Sequence, residues 1–304
     1  MISKIVIVGA GAMGCFLAAR LAGAGLDVTV VDIDAARLAL IEREGITLHD
    51  DSGVATAQVK ARLAADVEGQ VDLILLMTKG MFSAAAIRSV AHLAERSPLV
   101  LTLQNGLGNV EAIAEVFEAD RVLWGVTDFP ADLEGPAQVA SHGQGHIWLG
   151  GVNDRAHDHA EVVAEALNMG ALNAAIDPEV RVSVWEKVAF NAALNPLATI
   201  TGLPVGGLDC PEGRRIATAV AEETIATAFA LGVPVDPARV LAKIDFALAN
   251  HKSHKPSMLQ DRLAGRRTEI ESINGAIVTM ARQAGVATPT TSLLADLVRM
   301  GDPR

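Results

Sequence analysis

The chain has 304 residues, half of them hydrophobic, and a formal net charge of −11. This length suits two domains, and an acidic surface repels phosphate backbones, so nucleic acid is excluded as the expected partner. The two cysteines cannot form a disulfide framework, and Cys15, inside a predicted helix, is expected to be a packing residue. No apolar stretch reaches the roughly 18 uncharged residues that a membrane helix needs, and the N-terminus lacks a signal-peptide pattern. The sequence therefore predicts a cytoplasmic protein without a membrane partner.

A glycine-rich loop follows the first predicted strand. The β-branched run at residues 5–8 does not alternate with polar residues, which is typical of a parallel strand buried on both faces. The pattern Gly9-x-Gly11-x-x-Gly14 follows, and an Ala/Leu-rich helix extends to about Ala24. In a dinucleotide-binding loop the first glycine permits a tight turn, the second lets the backbone approach a pyrophosphate, and the third lets helix and strand pack closely. The free amides at the helix N-terminus attract phosphate. The expected cofactor contacts of this loop are Gly9, Gly11, Ala12, Met13 and Gly14.

An acidic residue ends the second predicted strand. Residues 28–31 form a buried strand, and Asp32 follows it, 18 residues after Gly14. A carboxylate at this position accepts hydrogen bonds from an adenosine ribose and repels a 2′-phosphate, so Asp32 favours NADH over NADPH. A turn aspartate without a ligand is the alternative that the sequence leaves open. Asp34 is the predicted N-cap of the next helix, which carries Arg37.

Strands and helices alternate through about residue 118, which predicts βαβ units and a parallel sheet. Further buried strands are expected at residues 71–77 and 99–103, short strands added antiparallel to the sheet edge within 121–149, and a last strand at 173–176. After Asp177-Pro178 the pattern is helical, with helices expected at residues 180–201, 211–231, 237–249 and 268–285. The predicted fold is α/β, with an N-terminal Rossmann-like doubly wound sheet over residues 1–177 and an all-helical domain over residues 178–304.

One predicted helix carries a polar stripe. Lys187, Asn191 and Asn195 are spaced i, i+4, i+8, which places them on one face of an otherwise apolar helix. Buried Lys and Asn side chains are costly unless they bind something, and a ligand is one candidate partner. A solvent-facing stripe is the alternative.

A second polar cluster lies near the C-terminus. Ser257 belongs to a stretch, residues 251–267, that is predicted to be a loop. Thr268-x-x-Glu271 fits a capping box, with Glu269 in the first helical turn, so both Ser257 and Glu269 have ordinary structural explanations. The histidines at 142, 146, 157 and 159 lack metal-ligand spacing, and no metal is expected.

Taken together, these motifs resemble the ketopantoate reductase (2-dehydropantoate 2-reductase) family nearly end to end. The residues that carry the resemblance are the Gly9 loop, Lys79, Gln104-Asn105-Gly106, Lys187 to Leu197, Ser257 to Asp261, and Thr268 to Gly275. The resemblance implies an active site in a cleft between the domains. It makes Lys187 the catalytic lysine and Glu269 the acid that contacts substrate near it. It makes Asn191 and Asn195 substrate-binding amides, and it places Ser257 near the substrate carboxylate. Lys79 and Asn105 would lie on the cofactor side.

The resemblance implies reduction of the keto acid 2-dehydropantoate to pantoate with NAD(P)H. NADPH is the family default, and many members carry a basic residue just past the second strand, where this chain has Asp32-Ile33-Asp34. Two alternatives remain: a reductase of a different 2-keto acid on the same frame, and a non-catalytic dinucleotide-binding protein. The sequence leaves the oligomeric state open, a homodimer included.

Overall fold

The structure, a computed structural model, describes residues 1–303 and contains two sheets. The strands are β1 (Lys4–Val8), β2 (Asp27–Val31), β3 (Ile46–Asp50), β4 (Gly53–Ala57), β5 (Lys60–Arg62), β6 (Leu73–Leu76), β7 (Leu99–Thr102), β8 (Val122–Thr127), β9 (Asp132–Gly135), β10 (Gln138–Ser141), β11 (Ile147–Gly151) and β12 (Ala174–Ile176). The α-helices are α1 (Ala12–Gly23), α2 (Ala35–Glu44), α3 (Ser83–Ser89), α4 (Asn109–Ala114), α5 (Asp154–His157), α6 (Ala160–Met169), α7 (Val180–Thr201), α8 (Pro211–Ala230), α9 (Pro237–Asn250), α10 (Ser257–Leu263), α11 (Ala276–Gln283) and α12 (Pro289–Gly301). Among the described helices, none is both long and apolar enough to span a membrane.

The larger sheet has the order β12-β11-β8-β7-β6-β1-β2-β5. Its six strands from β5 to β8 are parallel, which is the Rossmann order. Side chains of β1 enter two separate cores, with Ile5 and Ile7 in one and Val6 and Val8 in the other. The non-alternating run therefore forms a strand buried on both faces, and the predicted fold class is confirmed. Because β2 and β6 flank β1, the chain order reverses at the end of β1, where the glycine loop begins.

The smaller sheet, with the order β4-β3-β10-β9, is absent from the sequence prediction. The prediction that short strands within 121–149 extend the main sheet is correct for β11, which is antiparallel to β8. It is wrong for β10, which pairs in parallel with β3, and for β9, which pairs with β10. No residue of β4 is buried, so this strand lacks the apolar signal on which strand prediction depends.

The chain divides into two compact units. The first comprises Met1–Gln104 and Asn109–Val180, and the second comprises Asn105–Gly108 together with the described chain from Arg181 onward. All strands lie in the first unit, so the second is helical, as the sequence predicts. The short loop Asn105–Gly108 therefore groups with the helices although it begins only three residues after the end of β7.

Two local predictions for the helical unit are wrong. Residues 251–267 are not wholly a loop, because α10 forms within them. The Thr268–Glu271 capping box does not form either. Thr268 donates to the Asp302 carboxylate instead, through both its amide (3.1 Å) and its hydroxyl (2.8 Å). Glu271 accepts two hydrogen bonds from Arg299, which lower the pKa of its carboxyl, and it begins a π-helix, Glu271–Gly275, ahead of α11.

A partly buried carboxylate ties α12 to α8. The Glu223 carboxylate accepts hydrogen bonds from the backbone amides of Thr290 (2.9 Å) and Thr291 (2.8 Å) and from the Thr291 hydroxyl (2.6 Å). These are amides of the first turn of α12, which no intrahelical carbonyl satisfies. Glu223 is thus an N-terminal cap supplied by another helix.

Candidate active site

Two glycines of the loop after β1 are required by the loop itself. Gly9 adopts φ +112°, and a Cβ on it would lie 2.8 Å from the backbone nitrogen of Thr78. A Cβ on Gly14 would lie 1.9 Å from the carbonyl oxygen of Gly9. Helix α1 therefore packs directly against the end of β1, which is the close approach that the third glycine was expected to allow.

Gly11 has no such local requirement. Its φ is −73°, an ordinary value, and a Cβ on it would meet no protein atom within 4 Å. The space that this Cβ would fill is open, which fits a backbone that must lie against a ligand. Gly11 is the N-cap of α1, no side chain caps the helix, and no acid lies in its first turn. Its first intrahelical bond runs from the Cys15 amide to the Gly11 carbonyl. The preceding amides, those of Ala12, Met13 and Gly14, suit the pyrophosphate of a dinucleotide.

The Asp32 carboxylate is bound to backbone on two sides. One oxygen accepts from the Ala10 amide at 2.7 Å, which ties the glycine loop to the end of β2. The other accepts from the amides of Ile33 (2.8 Å) and Asp34 (3.1 Å). Asp32 is therefore a turn aspartate, and its half-buried charge still stands at the position expected for ribose recognition.

The surroundings of Asp32 agree with two further predictions. Asp34 caps α2 by accepting from the Arg37 amide at 3.0 Å. The Arg37 guanidinium donates to the carbonyl of Pro136 at 2.8 Å. Cys15 is fully buried and donates to the Ala10 carbonyl, and burial raises the pKa of its thiol to about 11. Cys15 is thus a packing residue with a protonated thiol.

A buried polar network next to the glycine loop was missed by the sequence analysis. The side-chain amide of Gln104 donates to the Ser83 hydroxyl (2.8 Å) and to Thr78, and its oxygen accepts from the Thr102 hydroxyl (2.9 Å). Thr78 is the residue whose nitrogen lies against Gly9, and Lys79, which is half-buried, follows it. The network therefore fixes the segment that carries Lys79. The sequence signal for this network was Gln104, an amide residue directly after the strand predicted at residues 99–103.

Asn105 lies in the loop that groups with the helical unit. Next to it, Gly106 has φ +87°, and a Cβ there would lie 2.2 Å from the carbonyl oxygen of Ser272. The Leu107 amide donates to the same oxygen at 2.8 Å. The half-buried Asn105 is therefore held beside the π-helix.

The predicted stripe on α7 is not a solvent-facing one. Between Val182 and Thr199 no residue of the helix is exposed. Lys187 and Asn191 are half-buried, and Asn195 retains only 5% of its accessible surface. Within residues 1–303, the side-chain amides of Asn191 and Asn195 have no hydrogen-bond partner in the protein. Side-chain amides both donate and accept hydrogen bonds, so this pair is available to bind a ligand.

The remaining predicted residues lie elsewhere in the same unit. Glu269 is half-buried, and its carbonyl accepts from the amides of Ser272 and Ile273, both at 3.1 Å, at the start of the π-helix. Ser257 is exposed at the first position of α10. No group of three or more His, Cys, Asp or Glu side chains that could hold a metal ion occurs within the described residues.

Two family models match most of the chain. A family model described as "Ketopantoate reductase PanE/ApbA" matches residues 5–154, and one described as "Ketopantoate reductase PanE/ApbA C terminal" matches residues 179–302. The chain is an NAD(P)-dependent oxidoreductase that acts on a CH–OH group. It belongs to the ketopantoate reductase family.

Individual relatives extend over the whole chain. The 2-dehydropantoate 2-reductase of Halobacterium salinarum is 32% identical over 303 residues, which covers 98% of each chain. That of Archaeoglobus fulgidus is 31% identical, covering 98% of this chain and 97% of the relative. Among solved structures, a D-mandelate dehydrogenase with NADH and anilino(oxo)acetate is 30% identical, covers 98% of each chain and has a TM-score of 0.93. The 2-dehydropantoate 2-reductase of Geobacter metallireducens is also 30% identical, covers 98% of this chain and 99% of its own, and has a TM-score of 0.88.

The contrast between Gly11 and Gly14 yields a test of cofactor binding. In Gly11→Ala the new methyl group has room in the protein, so the fold should persist, but it would occupy the space expected for the pyrophosphate. We expect the melting temperature to stay within about 2 °C and the Kd for NADH to rise at least about tenfold, or about 1.4 kcal/mol. Gly14→Ala should instead lose folding stability, because its methyl group meets the Gly9 carbonyl. Titration by NADH fluorescence measures the Kd, and native affinity in Gly11→Ala would exclude this role for the loop.

Proposed function

We propose that the chain reduces the 2-keto acid 2-dehydropantoate to pantoate. The observation that carries the proposal is the pair of amides without a protein partner in the described chain, Asn191 and Asn195, on the same helix face as Lys187. Amide N–H groups donate to carboxylate and hydroxyl oxygens, and a lysine adds the positive charge that an anionic substrate needs in a protein of net charge −11. The curated relatives from Halobacterium salinarum and Archaeoglobus fulgidus, both named for this reaction, support the substrate.

The mechanism follows from the charge that develops on the substrate. NAD(P)H, when bound, supplies a hydride to the ketone carbon, and negative charge builds on the carbonyl oxygen. Lys187 stabilises that charge with its ammonium group and donates the proton that completes the alcohol. Lysine side chains ordinarily carry a proton at neutral pH, which is the proton that this step requires. Glu269 binds a substrate hydroxyl and favours the charged form of Lys187, while Asn191, Asn195 and Ser257 hold the other substrate oxygens.

A second keto acid is a specific competitor. The D-mandelate dehydrogenase with a TM-score of 0.93 was solved with anilino(oxo)acetate, an oxoacetate that carries an aromatic ring through an amide nitrogen. Oxidation of mandelate gives phenylglyoxylate, which has the same keto-acid group as 2-dehydropantoate but carries an aromatic ring in place of a branched hydroxyalkyl group. The two substrates therefore differ in whether a hydroxyl is available for Glu269.

For the cofactor we propose a preference for NADH. The Asp32 carboxylate stands at the end of β2, where it repels a 2′-phosphate. The solved D-mandelate dehydrogenase complexes are described with NADH, which supports the same preference. NADPH, the cofactor of many family members, is the alternative.

Steady-state kinetics with the two keto acids test the substrate. We expect kcat/KM for 2-dehydropantoate to exceed that for phenylglyoxylate at least about tenfold, because a site built to bind a hydroxyl discriminates against a substrate without one. The reverse order would assign the chain to aryl keto acids. Turnover of neither would assign the chain to a different 2-keto acid, the alternative that the sequence leaves open.

Removal of Lys187 tests the mechanism. In Lys187→Ala we expect kcat to fall by about 10²–10⁴, the range typical of a lost acid catalyst, while the Kd for NADH stays within about twofold. Lys243→Ala is the matched control, because Lys243 lies on α9 in the same unit and pairs at 3.6 Å with Glu186. Turnover near that of the unmodified protein in Lys187→Ala would refute its assignment as the proton donor.

The cofactor preference is tested at Asp32. Because its carboxylate also accepts backbone hydrogen bonds, Asp32→Asn is preferable to alanine: it removes the charge and keeps an acceptor. We expect the ratio of kcat/KM for NADPH to that for NADH to rise at least about tenfold, or about 1.4 kcal/mol. Asp34→Asn removes a charge two residues away while preserving the N-cap, so its ratio should change much less. An unchanged ratio in Asp32→Asn would mean that Asp32 does not select the cofactor.

A further inference from the structure

A proline interrupts α7 at the C-terminal end of the polar stripe. Pro196 lies within the helix directly after Asn195. Because proline has no backbone N–H, it cannot donate to the carbonyl four residues earlier, which is that of Ala192. Ala192 in turn follows Asn191. The missing hydrogen bond therefore falls between the two amides that are proposed to bind the substrate.

The side chain of Asn274 replaces this missing donor. Its Nδ2 donates to the Ala192 carbonyl at 3.1 Å, and the residue is completely buried. Asn274 belongs to the π-helix Glu271–Gly275. Single-turn π-helices inside α-helical segments are frequent at functional sites. The contact joins residues 82 positions apart within the helical unit.

The other half of the Asn274 amide is left unsatisfied. Its Oδ1 is buried and has no hydrogen-bond partner. An unpaired buried acceptor destabilises a fold by about 1–3 kcal/mol, so stability alone does not favour asparagine here over an apolar side chain of similar size. The donor function toward Ala192 is what distinguishes asparagine at this position.

The same π-helix also holds the loop that carries Asn105. The Ser272 carbonyl accepts from the Leu107 amide at 2.8 Å, and only glycine fits at 106 because a Cβ would lie 2.2 Å from that oxygen. One short segment is thus bonded both to the broken turn of α7 and to the loop beside Asn105.

We propose that Asn274 is a positioning residue for substrate binding, which acts through α7. Its side-chain amide substitutes for the N–H that Pro196 lacks, and thereby holds Asn191 and Asn195 in the relative orientation that the keto acid requires. This proposal rests on the proposed function, because only that function assigns Asn191 and Asn195 to substrate binding.

A double-mutant cycle between residues 274 and 196 tests the proposal. Pro196→Ala restores a backbone N–H that can bond to Ala192, so the Asn274 donor becomes redundant. We expect Asn274→Leu to raise KM for 2-dehydropantoate at least tenfold and to leave the Kd for NADH within twofold. In Asn274→Leu/Pro196→Ala, we expect KM within threefold of that of Pro196→Ala alone. Asn274→Ala, which lacks the donor and adds neither charge nor bulk, should show the same rise and the same relief, and it decides the outcome if the leucine variant does not fold.

Glu223→Ala is the control for a general loss of stability. It removes the anchor of α12 in the same unit without touching α7, so it should lower the melting temperature and leave KM unchanged. A folded Asn274 variant with unaltered KM would overturn the proposal. An equal rise in KM whether residue 196 is proline or alanine would overturn it as well.

Hydrogen–deuterium exchange of α7 without ligands separates this proposal from the function on which it rests. We expect the backbone amides of residues 197–201 to exchange faster in Asn274→Leu, and Pro196→Ala to restore slower exchange. If no keto acid is turned over, the proposed function fails, and the exchange still decides whether Asn274 holds the broken turn. Unchanged exchange in Asn274→Leu would overturn the positioning role.

Discussion

The nucleotide-binding unit depends on the absence of a side chain at Gly14. Any Cβ there would collide with the Gly9 carbonyl, so glycine lets α1 begin directly against the end of β1. The hydrogen bond from Ala10 to Asp32 then ties this loop to the neighbouring strand. The uncapped amides of α1 are consequently fixed at the point where the strand order of the parallel sheet reverses, which is where such sheets bind dinucleotides. No contact within the described part of the protein requires a glycine at position 11. A dinucleotide bound in the open space beside it would require one.

In the helical unit the corresponding constraint is the backbone N–H that Pro196 lacks. Pro196 removes a backbone donor from α7 directly after the polar stripe, and Asn274 supplies another from the π-helix. The helix is buried on nearly all sides, so a freed carbonyl there cannot be satisfied by bulk water. The proposed orientation of Asn191 and Asn195 toward the substrate thus depends on a contact made by a residue far along the chain. The segment that carries this residue also contacts the loop beside Asn105.

The sequence predicts the features whose signals are local. The buried run at β1, the glycine spacing and the bounds of α7 are all set by neighbouring residues, and the structure has them as expected. It does not predict features set by distant partners. Thr268 and Glu271 have the spacing of a capping box, but Asp302 and Arg299, 34 and 28 residues away, bind them instead. The smaller sheet was missed because β4 has no buried side chain, and the Gln104 network because its partners come from two other segments.

The proposed reaction passes a hydride from the cofactor to the keto carbon of 2-dehydropantoate. The most direct measurement supplies NADH or NADPH with deuterium at both C4 positions and analyses the product by mass spectrometry and NMR. We expect pantoate that carries one deuterium at C2, formed with either cofactor and faster with NADH. Cofactor that binds tightly while 2-dehydropantoate is recovered unreduced would contradict it.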